Sequence, residues 1–224
     1  MTTKLTFMSD THSKHHLISK EQLGEGDIIF HSGDFTQMGY KGEIKMFLKW
    51  FSSLDYTYKV FIAGNHELGL EKNRLILPEE YTNKGVIYLQ DEEVILEGLK
   101  IYGTPWQPEF GGWEFNLPRN SKKLKQKWNN IPLDVDILLT HSPVYGILDT
   151  NREGIHCGCE MLYERVSKIK PWIHAWGHIH EAYGQKTIDN REMLNSSILD
   201  RNYQVAHSPI RMEIDIINKF IKYL

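Results

Sequence analysis

Short apolar runs recur along the chain, and their spacing predicts alternating strands and helices in its first third. Residues 5–8, 27–30 and 58–63 form continuous apolar runs bounded by turn residues, as buried strands do. Between the second and third runs, apolar residues recur at helical spacing at Ile44, Phe47, Leu48, Phe51 and Leu54. Strands separated by helices favour parallel pairing through crossover connections.

The remaining two thirds of the chain change to a more meander-like pattern. We expect a hairpin of residues 94–96 and 100–102 around the turn Glu97-Gly98, and further strands at 86–89, 135–139, 172–176, 186–188, 193–194 and 210–216. Helices are expected at 121–128 and 159–169, after an irregular stretch at 103–120. Together the patterns predict one α/β domain, residues 1–224, with two facing sheets and outer helices.

Composition and charge exclude several classes of protein. The 224 residues are 41% hydrophobic and 25% charged, with a net charge of −3, so no extended nucleic-acid surface is predicted. The lysine runs at 122–127 and 168–170 are interpreted as solvated helix faces.

Cys157 and Cys159 are too close in sequence for an unstrained disulfide. Neither a signal peptide nor a membrane span is expected, which favours a cytoplasmic location; the oligomeric state is not predicted.

Five polar clusters follow apolar strands and carry the chemistry that the sequence predicts. They lie at residues 9–12, 33–34, 64–67, 140–141 and 177–180. In α/β sheets, functional groups gather at the carboxyl ends of the strands. We therefore expect one cluster of metal ligands at one edge of the fold: Asp10, His12, Asp34, Asn65, His141, His178 and His180.

The types of these side chains favour two divalent metal ions. Carboxylate, amide and imidazole donors without thiolate suit manganese, iron, zinc or cobalt better than calcium, and manganese is the ion we expect to serve in vitro. Two ions at roughly 3.5–4 Å need one bridging carboxylate. Asp34 is the candidate, because it is the acidic residue of a cluster that has no neighbouring ligand.

The histidines also admit a purely structural interpretation. A lone buried histidine is more often hydrogen-bonded structure than a ligand. That interpretation is adopted for His31, His156, His174 and His207, and residues 15–16 are expected in an exposed loop. For the clusters together it would require five independent coincidences at strand ends, which favours the metal centre.

The motifs D-x-H, G-D, G-N-H-E, T-H and G-H-x-H, from Asp10 to His180, resemble those of the calcineurin-like metallophosphoesterase superfamily. The resemblance implies a four-layer α/β/β/α sandwich of two mixed sheets with outer helices. It also implies that Asp10, His12 and His180 bind one metal, that Asp34 bridges, and that the second metal is bound by Asn65, His141 and His178. His66 would act as a general acid or as a positive group near the leaving oxygen, with Glu67 either orienting it or lying on the surface.

A finer resemblance concerns residues 103–106, 113–119, 140–143 and 177–184. These segments are similar to the branch that contains the metallophosphoesterase-domain-containing brain proteins and their microbial relatives. That branch is associated with phosphodiesterase activity, including activity on 2′,3′- and 3′,5′-cyclic nucleotides. Some animal members carry glycine where this chain has His178, so the imidazole here favours an active enzyme. The predicted reaction is in-line attack of a metal-bridging hydroxide on a small phosphodiester.

The aromatic stretch 103–120 supplies candidate substrate contacts. Trp106 and neighbouring aromatic residues would either stack on a base or cap the core, and Asn116 and Arg119 are candidates to bind phosphate or sugar. Two other functions stay open. One is a phosphomonoesterase, acting on nucleotides or proteins, which would favour more arginine or lysine near the metals. The other is a nucleotide-binding protein with weak catalysis.

Overall fold

Fourteen strands and five α-helices occur in residues 2–224, the part of the chain that the structure, a computed structural model, describes. The strands are β1 (Thr2–Met8), β2 (Gly26–Ser32), β3 (Tyr56–Ile62), β4 (Val86–Tyr88), β5 (Glu92–Leu96), β6 (Leu99–Thr104), β7 (Gln107–Pro108), β8 (Asn116–Leu117), β9 (Ile137–Thr140), β10 (Ile173–Trp176), β11 (Gly184–Ile188), β12 (Arg191–Asn195), β13 (Ile210–Asp215) and β14 (Phe220–Tyr223). The helices are α1 (Lys20–Leu23), α2 (Lys41–Phe51), α3 (Glu79–Thr82), α4 (Lys122–Asn129) and α5 (Glu160–Ile169).

Two six-stranded mixed sheets carry the fold. Their strand orders are β14-β13-β1-β2-β3-β4 and β11-β12-β10-β9-β6-β5, and β7 pairs with β8 separately. In the first sheet β1 to β4 run parallel, whereas β13 is antiparallel to β1. In the second, β6, β9, β10 and β12 run parallel between antiparallel neighbours. The parallel centres follow from the crossover connections that the sequence predicts.

The two faces of each sheet are buried in different clusters. Along β2, Phe30 lies in the inner cluster, whereas the preceding Ile29 lies in the outer one. Phe30 stacks on Phe7 of β1 with ring centroids 4.7 Å apart, and the inner cluster also takes residues from the second sheet. Since successive side chains on a strand point to opposite faces, strands buried on both sides become continuous apolar runs.

The predicted fold class is confirmed: two facing mixed sheets with helices outside. The sequence missed β14, the four-residue helices α1 and α3, and the two-residue strands β7 and β8 within the stretch expected to be irregular. Strand β14 lies at a sheet edge with its side chains mostly exposed, so it lacks the alternation of a half-buried strand. Helix α1 depends on a capping box between Ser19 and Gln22 rather than on apolar periodicity.

Two further features bear on expectations from the sequence. Cys157 and Cys159 are both free thiols. Within residues 2–224, every helix is too short or too polar to cross a lipid bilayer.

The aromatic layer beneath α2 yields a test of the outer core. Phe47 is fully buried and packs against Phe35 and Phe51 at 4.3 and 4.9 Å between ring centroids, whereas its neighbour Met46 is 55% exposed. We expect Phe47→Ala to lower the free energy of unfolding by about 3–5 kcal/mol because it leaves a cavity. The matched change Met46→Ala is expected to lower it by less than about 0.5 kcal/mol. Urea denaturation followed by circular dichroism measures both, and equal effects would contradict the assignment of the buried face.

Candidate metal centre and phosphoester site

The carboxyl ends of five parallel strands bring the seven predicted ligands to one edge of the sandwich. Three of these strands belong to the first sheet and two to the second. The ligands follow them in chain order: Asp10 and His12 after β1, Asp34 after β2, Asn65 after β3, His141 after β9, and His178 and His180 after β10. Each is buried except His178, which is partly buried. Two sheets therefore contribute to one site.

One group of possible ligand atoms consists of Asp10, His12 and His180, all within 4.8 Å of one another. The Nε2 atoms of His12 and His180 lie 3.3 Å apart, and His180 Nε2 lies 3.6 Å from Asp10 Oδ1. These three donors converge on one small volume. A carboxylate and two imidazoles are ligands that first-row divalent metals accept.

A second group consists of Asp34, His141 and His178, again within 4.8 Å of one another. His141 Nε2 lies 3.3 Å from Asp34 Oδ2 and 3.0 Å from Asn65 Oδ1. Asn65 therefore adds a neutral oxygen donor to this group. The second group matches the first in size and in the kinds of atoms it offers.

Asp34 lies between the two groups. Its Oδ2 is 3.3 Å from His141 Nε2 and 3.8 Å from His12 Nε2, while its Oδ1 accepts a hydrogen bond of 2.8 Å from the backbone N–H of His66. A bridging carboxylate requires this position. The bridging role itself stays a prediction.

Four of the seven ligand candidates have a left-handed backbone. The φ angles are 52° at Asp10, 40° at His12, 54° at Asp34 and 69° at His178. Residues other than glycine adopt this region rarely, at a cost of about 1–3 kcal/mol each, and such residues cluster at functional sites. The backbone is thus held in the geometry that turns these side chains toward a common centre.

The Asp10 carboxylate lies so close to the backbone before His178 that only glycine fits at position 177. A Cβ atom added at Gly177 would lie 1.9 Å from Asp10 Oδ2 and 2.1 Å from Ser9 Oγ. The backbone N–H of His178 donates to both carboxylate oxygens of Asp10, at 3.0 Å each. Gly177 therefore serves the contact between the sheets by lacking a side chain.

Hydrogen bonds from the far ring nitrogens orient two of the imidazoles. His141 Nδ1 lies 2.9 Å from the carbonyl of Ser32, and His180 Nδ1 lies 3.1 Å from the carbonyl of Asp200. A nitrogen facing a carbonyl donates its proton, so Nε2 is left to bind a metal.

The electrostatics of the site also suit cations. Burial would raise the pKa values of Asp10 and Asp34, but adjacent histidines outweigh burial and hold both below their usual range. Burial lowers the pKa of His12 to about 4 and that of His178 to about 3. Burial also opposes charge on His141, yet the Asp34 carboxylate raises its pKa to about 9. At neutral pH Asp10 and Asp34 are therefore carboxylates and His12 and His178 are neutral imidazoles, as metal ligands should be, whereas His141 carries a proton that a divalent metal would displace.

Glu67 differs from both interpretations offered by the sequence. It is fully buried, and one carboxylate oxygen accepts from the backbone N–H groups of Asp34 and Gly64 at 2.9 and 2.6 Å. The other accepts from the N–H and hydroxyl of Thr36 at 2.8 and 2.9 Å. Glu67 therefore neither lies on the surface nor binds the ring of His66. It fixes the loops after β2 and β3 against each other.

His66 lies beside the ligands and is held on two sides. Its Nδ1 is 2.7 Å from the carbonyl of Gln37, and its ring stacks on Trp113 with centroids 4.2 Å apart. The ring meets His12 edge to face at 4.4 Å. Because Nδ1 faces a carbonyl, Nε2 is the atom left for a substrate.

Two of the histidines set aside as structural are deeply buried beside the site. His31 Nε2 lies 3.0 Å from the hydroxyl of Thr11, and His174 Nε2 lies 2.9 Å from the hydroxyl of Thr140. Each threonine is adjacent in sequence to a predicted ligand, so both histidines support the ligand loops. His15 differs from the expected exposed loop, since it is buried against Trp50 with ring centroids 4.7 Å apart.

A pocket of about 360 Å³ opens beside the ligands, and the three predicted substrate contacts relate to it differently. Arg119 lines it, but its guanidinium donates to the carbonyls of Gly158 and Cys157. Trp106 lies outside the lining, buried, with its indole N–H bonded to Asp91. This position supports packing and not base stacking.

Asn116 also lies outside the lining of the pocket. Its amide donates to the carbonyl of Phe110 at 2.7 Å and accepts from Gln107 at 2.7 Å. Both bonds brace the aromatic loop, so the predicted phosphate or sugar contact is not supported by this geometry.

Several wall residues were missed by reasoning from the sequence. Tyr203 packs on the rings of His12 and His180, each at 5.0 Å between centroids. His156, which we had set aside as structural, lines the same pocket. Both lie in loops far along the chain, where neither periodicity nor a motif distinguishes them.

The geometry defines a class: an α/β sandwich whose strand ends assemble carboxylates, imidazoles and an amide, a donor set that fits two divalent metals. A profile of the calcineurin-like phosphoesterase family matches residues 3–182, and the chain belongs to this family of phosphoric ester hydrolases.

Relatives agree with this assignment over nearly the whole chain. Human metallophosphoesterase domain-containing protein 1 is 40% identical over 95% of this chain and 71% of its own length. A UPF0046 protein of Caenorhabditis elegans is 36% identical over 93% of this chain and 80% of its own. A crystal structure at 14% identity superposes with a TM-score of 0.69, covering 100% of this chain and 99% of the other, which shows the shared fold.

The close approach at Gly177 yields a test of the metal centre. We expect Gly177→Ala to displace the Asp10 carboxylate and to lower metal affinity at least tenfold, because the new Cβ has no space. Elemental analysis after dialysis against manganese measures the bound metal. Gly42→Ala is the matched control, since a Cβ there has no neighbouring atom within 4 Å. Unchanged metal content in Gly177→Ala would contradict the assigned contact.

Proposed function

We propose that the protein is a metal-dependent phosphodiesterase that hydrolyses small phosphodiesters, cyclic nucleotides among them. Asp10, His12 and His180 would hold one divalent ion, and Asn65, His141 and His178 the other, with Asp34 shared. When bound, such ions polarise a phosphoryl oxygen and lower the pKa of water. The family membership supports ester hydrolysis, and the details of the pocket support the diester class.

The proposed preference for diesters rests on the charge of the pocket wall. Among the described residues, Arg119 is the one lysine or arginine lining the pocket, and it is engaged by Glu160 as well as by backbone carbonyls. A carboxylate, Glu109, lies in the same wall. A monoester dianion brings one more negative charge than a diester, and this wall offers no free guanidinium or ammonium group to neutralise it.

His66 is placed to serve the leaving oxygen. Its Nδ1 proton is donated to the carbonyl of Gln37, and Trp113 stacks on its ring. Nε2 therefore faces the ligand group, where a proton on that atom can pass to an alkoxide as the ester bond breaks. The ligand atoms of His66, His12 and Asp34 also lie within 4.8 Å of one another, and of these three we assign only His66 to proton transfer instead of metal binding.

The diester assignment is tested by comparing two aryl substrates in the metal-loaded protein. We expect bis(4-nitrophenyl) phosphate to be hydrolysed with a kcat/KM at least about tenfold above that of 4-nitrophenyl phosphate, because the wall disfavours the dianion. Release of 4-nitrophenolate measures both. Asp34→Asn serves as the inactive control. A preference for the monoester would favour a phosphomonoesterase, and tight nucleotide binding without turnover would favour a binding protein.

Removal of the imidazole tests the role of His66. We expect His66→Ala to lower kcat on a diester with a poor alkoxide leaving group by about 10²–10⁴-fold, the range typical of general acid catalysis. The loss of kcat should be much smaller with a 4-nitrophenyl diester, because its leaving group, 4-nitrophenolate, needs no proton to leave. Bound manganese should stay at the wild-type level. Equal losses on both substrates would contradict proton donation.

A further inference from the structure

The segment between β9 and α5 forms part of the pocket wall and is held in a defined conformation. Isolated bridges join Val144 to Cys159 and Thr150 to His156. The backbone N–H of Cys157 donates to the carbonyl of Asp149 at 2.9 Å. These bonds fix the end of the segment that faces the pocket, so a side chain carried there is presented in one orientation.

The carboxylate of Asp149 joins several parts of this segment through hydrogen bonds. It is fully buried and accepts from the backbone N–H groups of Gly146 and Gly158 at 2.9 and 3.1 Å. Its other oxygen lies 2.7 Å from His156 Nδ1. Burying a carboxylate is costly unless it is hydrogen-bonded, and here it orders both the loop and one imidazole.

His156 is the exposed member of the pair. Its side chain is 45% exposed and lines the pocket, and the ring of Tyr145 packs against it at 5.1 Å. Because Nδ1 donates its proton to Asp149, Nε2 of the neutral ring carries a lone pair. Within residues 2–224 no hydrogen bond engages this Nε2. An imidazole oriented by a carboxylate in this way can accept a hydrogen bond from a ligand at its other ring nitrogen.

We infer that His156 is a substrate-binding residue whose Nε2 accepts a hydrogen bond from a hydroxyl or N–H group on the organic part of the phosphodiester. The inference rests on the proposed function. The pocket of about 360 Å³ is larger than a phosphoryl group needs, so part of a bound diester extends along its walls. The substrate class that this contact selects is a diester of a hydroxylated group, such as a nucleoside, over a plain aryl diester.

Two substrates with the same leaving group test this contact in the metal-loaded protein. One is the 4-nitrophenyl ester of thymidine 5′-phosphate, which carries a hydroxyl and a base, and the other is bis(4-nitrophenyl) phosphate, which carries neither. We expect His156→Ala to raise KM for the nucleoside ester about tenfold with little change in kcat, the factor that one hydrogen bond supplies. Both constants for the bis-aryl ester should stay within about twofold of the wild type.

Controls separate recognition from folding. His156→Ser is measured in parallel, so that a folding defect in one variant does not remove the test, and thermal melting and bound manganese are recorded for each. The exposed His16→Ala is the matched control and should leave both substrates unchanged. Equal losses on both substrates, or no loss on either, would overturn the inference.

The same assay distinguishes the two proposals. If the wild type hydrolyses the bis-aryl ester but not the nucleoside ester, the inference about His156 fails and the phosphodiesterase assignment stands. If the wild type hydrolyses neither ester while bound metal is present, the phosphodiesterase assignment itself fails.

Discussion

The position of the Asp34 carboxylate between two groups of candidate metal ligands is the constraint on which the rest of the structure depends. Asp34 follows a strand of the first sheet, and His141, 3.3 Å away, follows a strand of the second. The same histidine bonds the carbonyl of Ser32 at 2.9 Å, so it contacts the first sheet twice, beside the contact between Asp10 and the backbone of His178. Such short contacts tolerate little sliding between the sheets. The apolar layer between them, in which Phe7 stacks on Phe30, supplies the close packing that fixes their separation.

The site contains strained backbone and buried carboxylates, and hydrogen bonds from neighbouring loops compensate for part of their cost. Left-handed backbone at Asp10 and Asp34 and burial of their carboxylates both cost free energy. The buried Glu67 offsets part of that cost by accepting four hydrogen bonds from the loops after β2 and β3. Because the strained backbone and the hydrogen bonds of Glu67 lie in adjacent loops, the protein itself holds the candidate ligands in place, which lowers the reorganisation that metal binding would require.

The sequence predicted the sheets and the ligand clusters because both depend on local patterns. Buried strands produce apolar runs. The residues just after parallel strands lie at one edge of the sheet, independent of the length and conformation of the loops. Contacts made through long loops were not predictable in this way. Trp106 looks like a stacking residue, yet its indole is bonded to Asp91. His156 looks like an ordinary loop histidine, and only its contact with the buried Asp149 distinguishes it. In both cases the partner is fixed by tertiary structure rather than by neighbouring sequence.

Strand ends and loops contribute different parts of the site. Strand ends supply the candidate metal ligands, and the geometry of these residues is set by sheets that cannot change without loss of the core. The loops at 103–120 and 144–158 supply the walls, including Phe110 and Ile155, whose side chains are more than half exposed. Exposed loop residues can change with little effect on folding free energy. The residues that suit metal-dependent ester hydrolysis therefore lie at the strand ends, whereas these two loops form the pocket walls, where sequence changes cost the fold least.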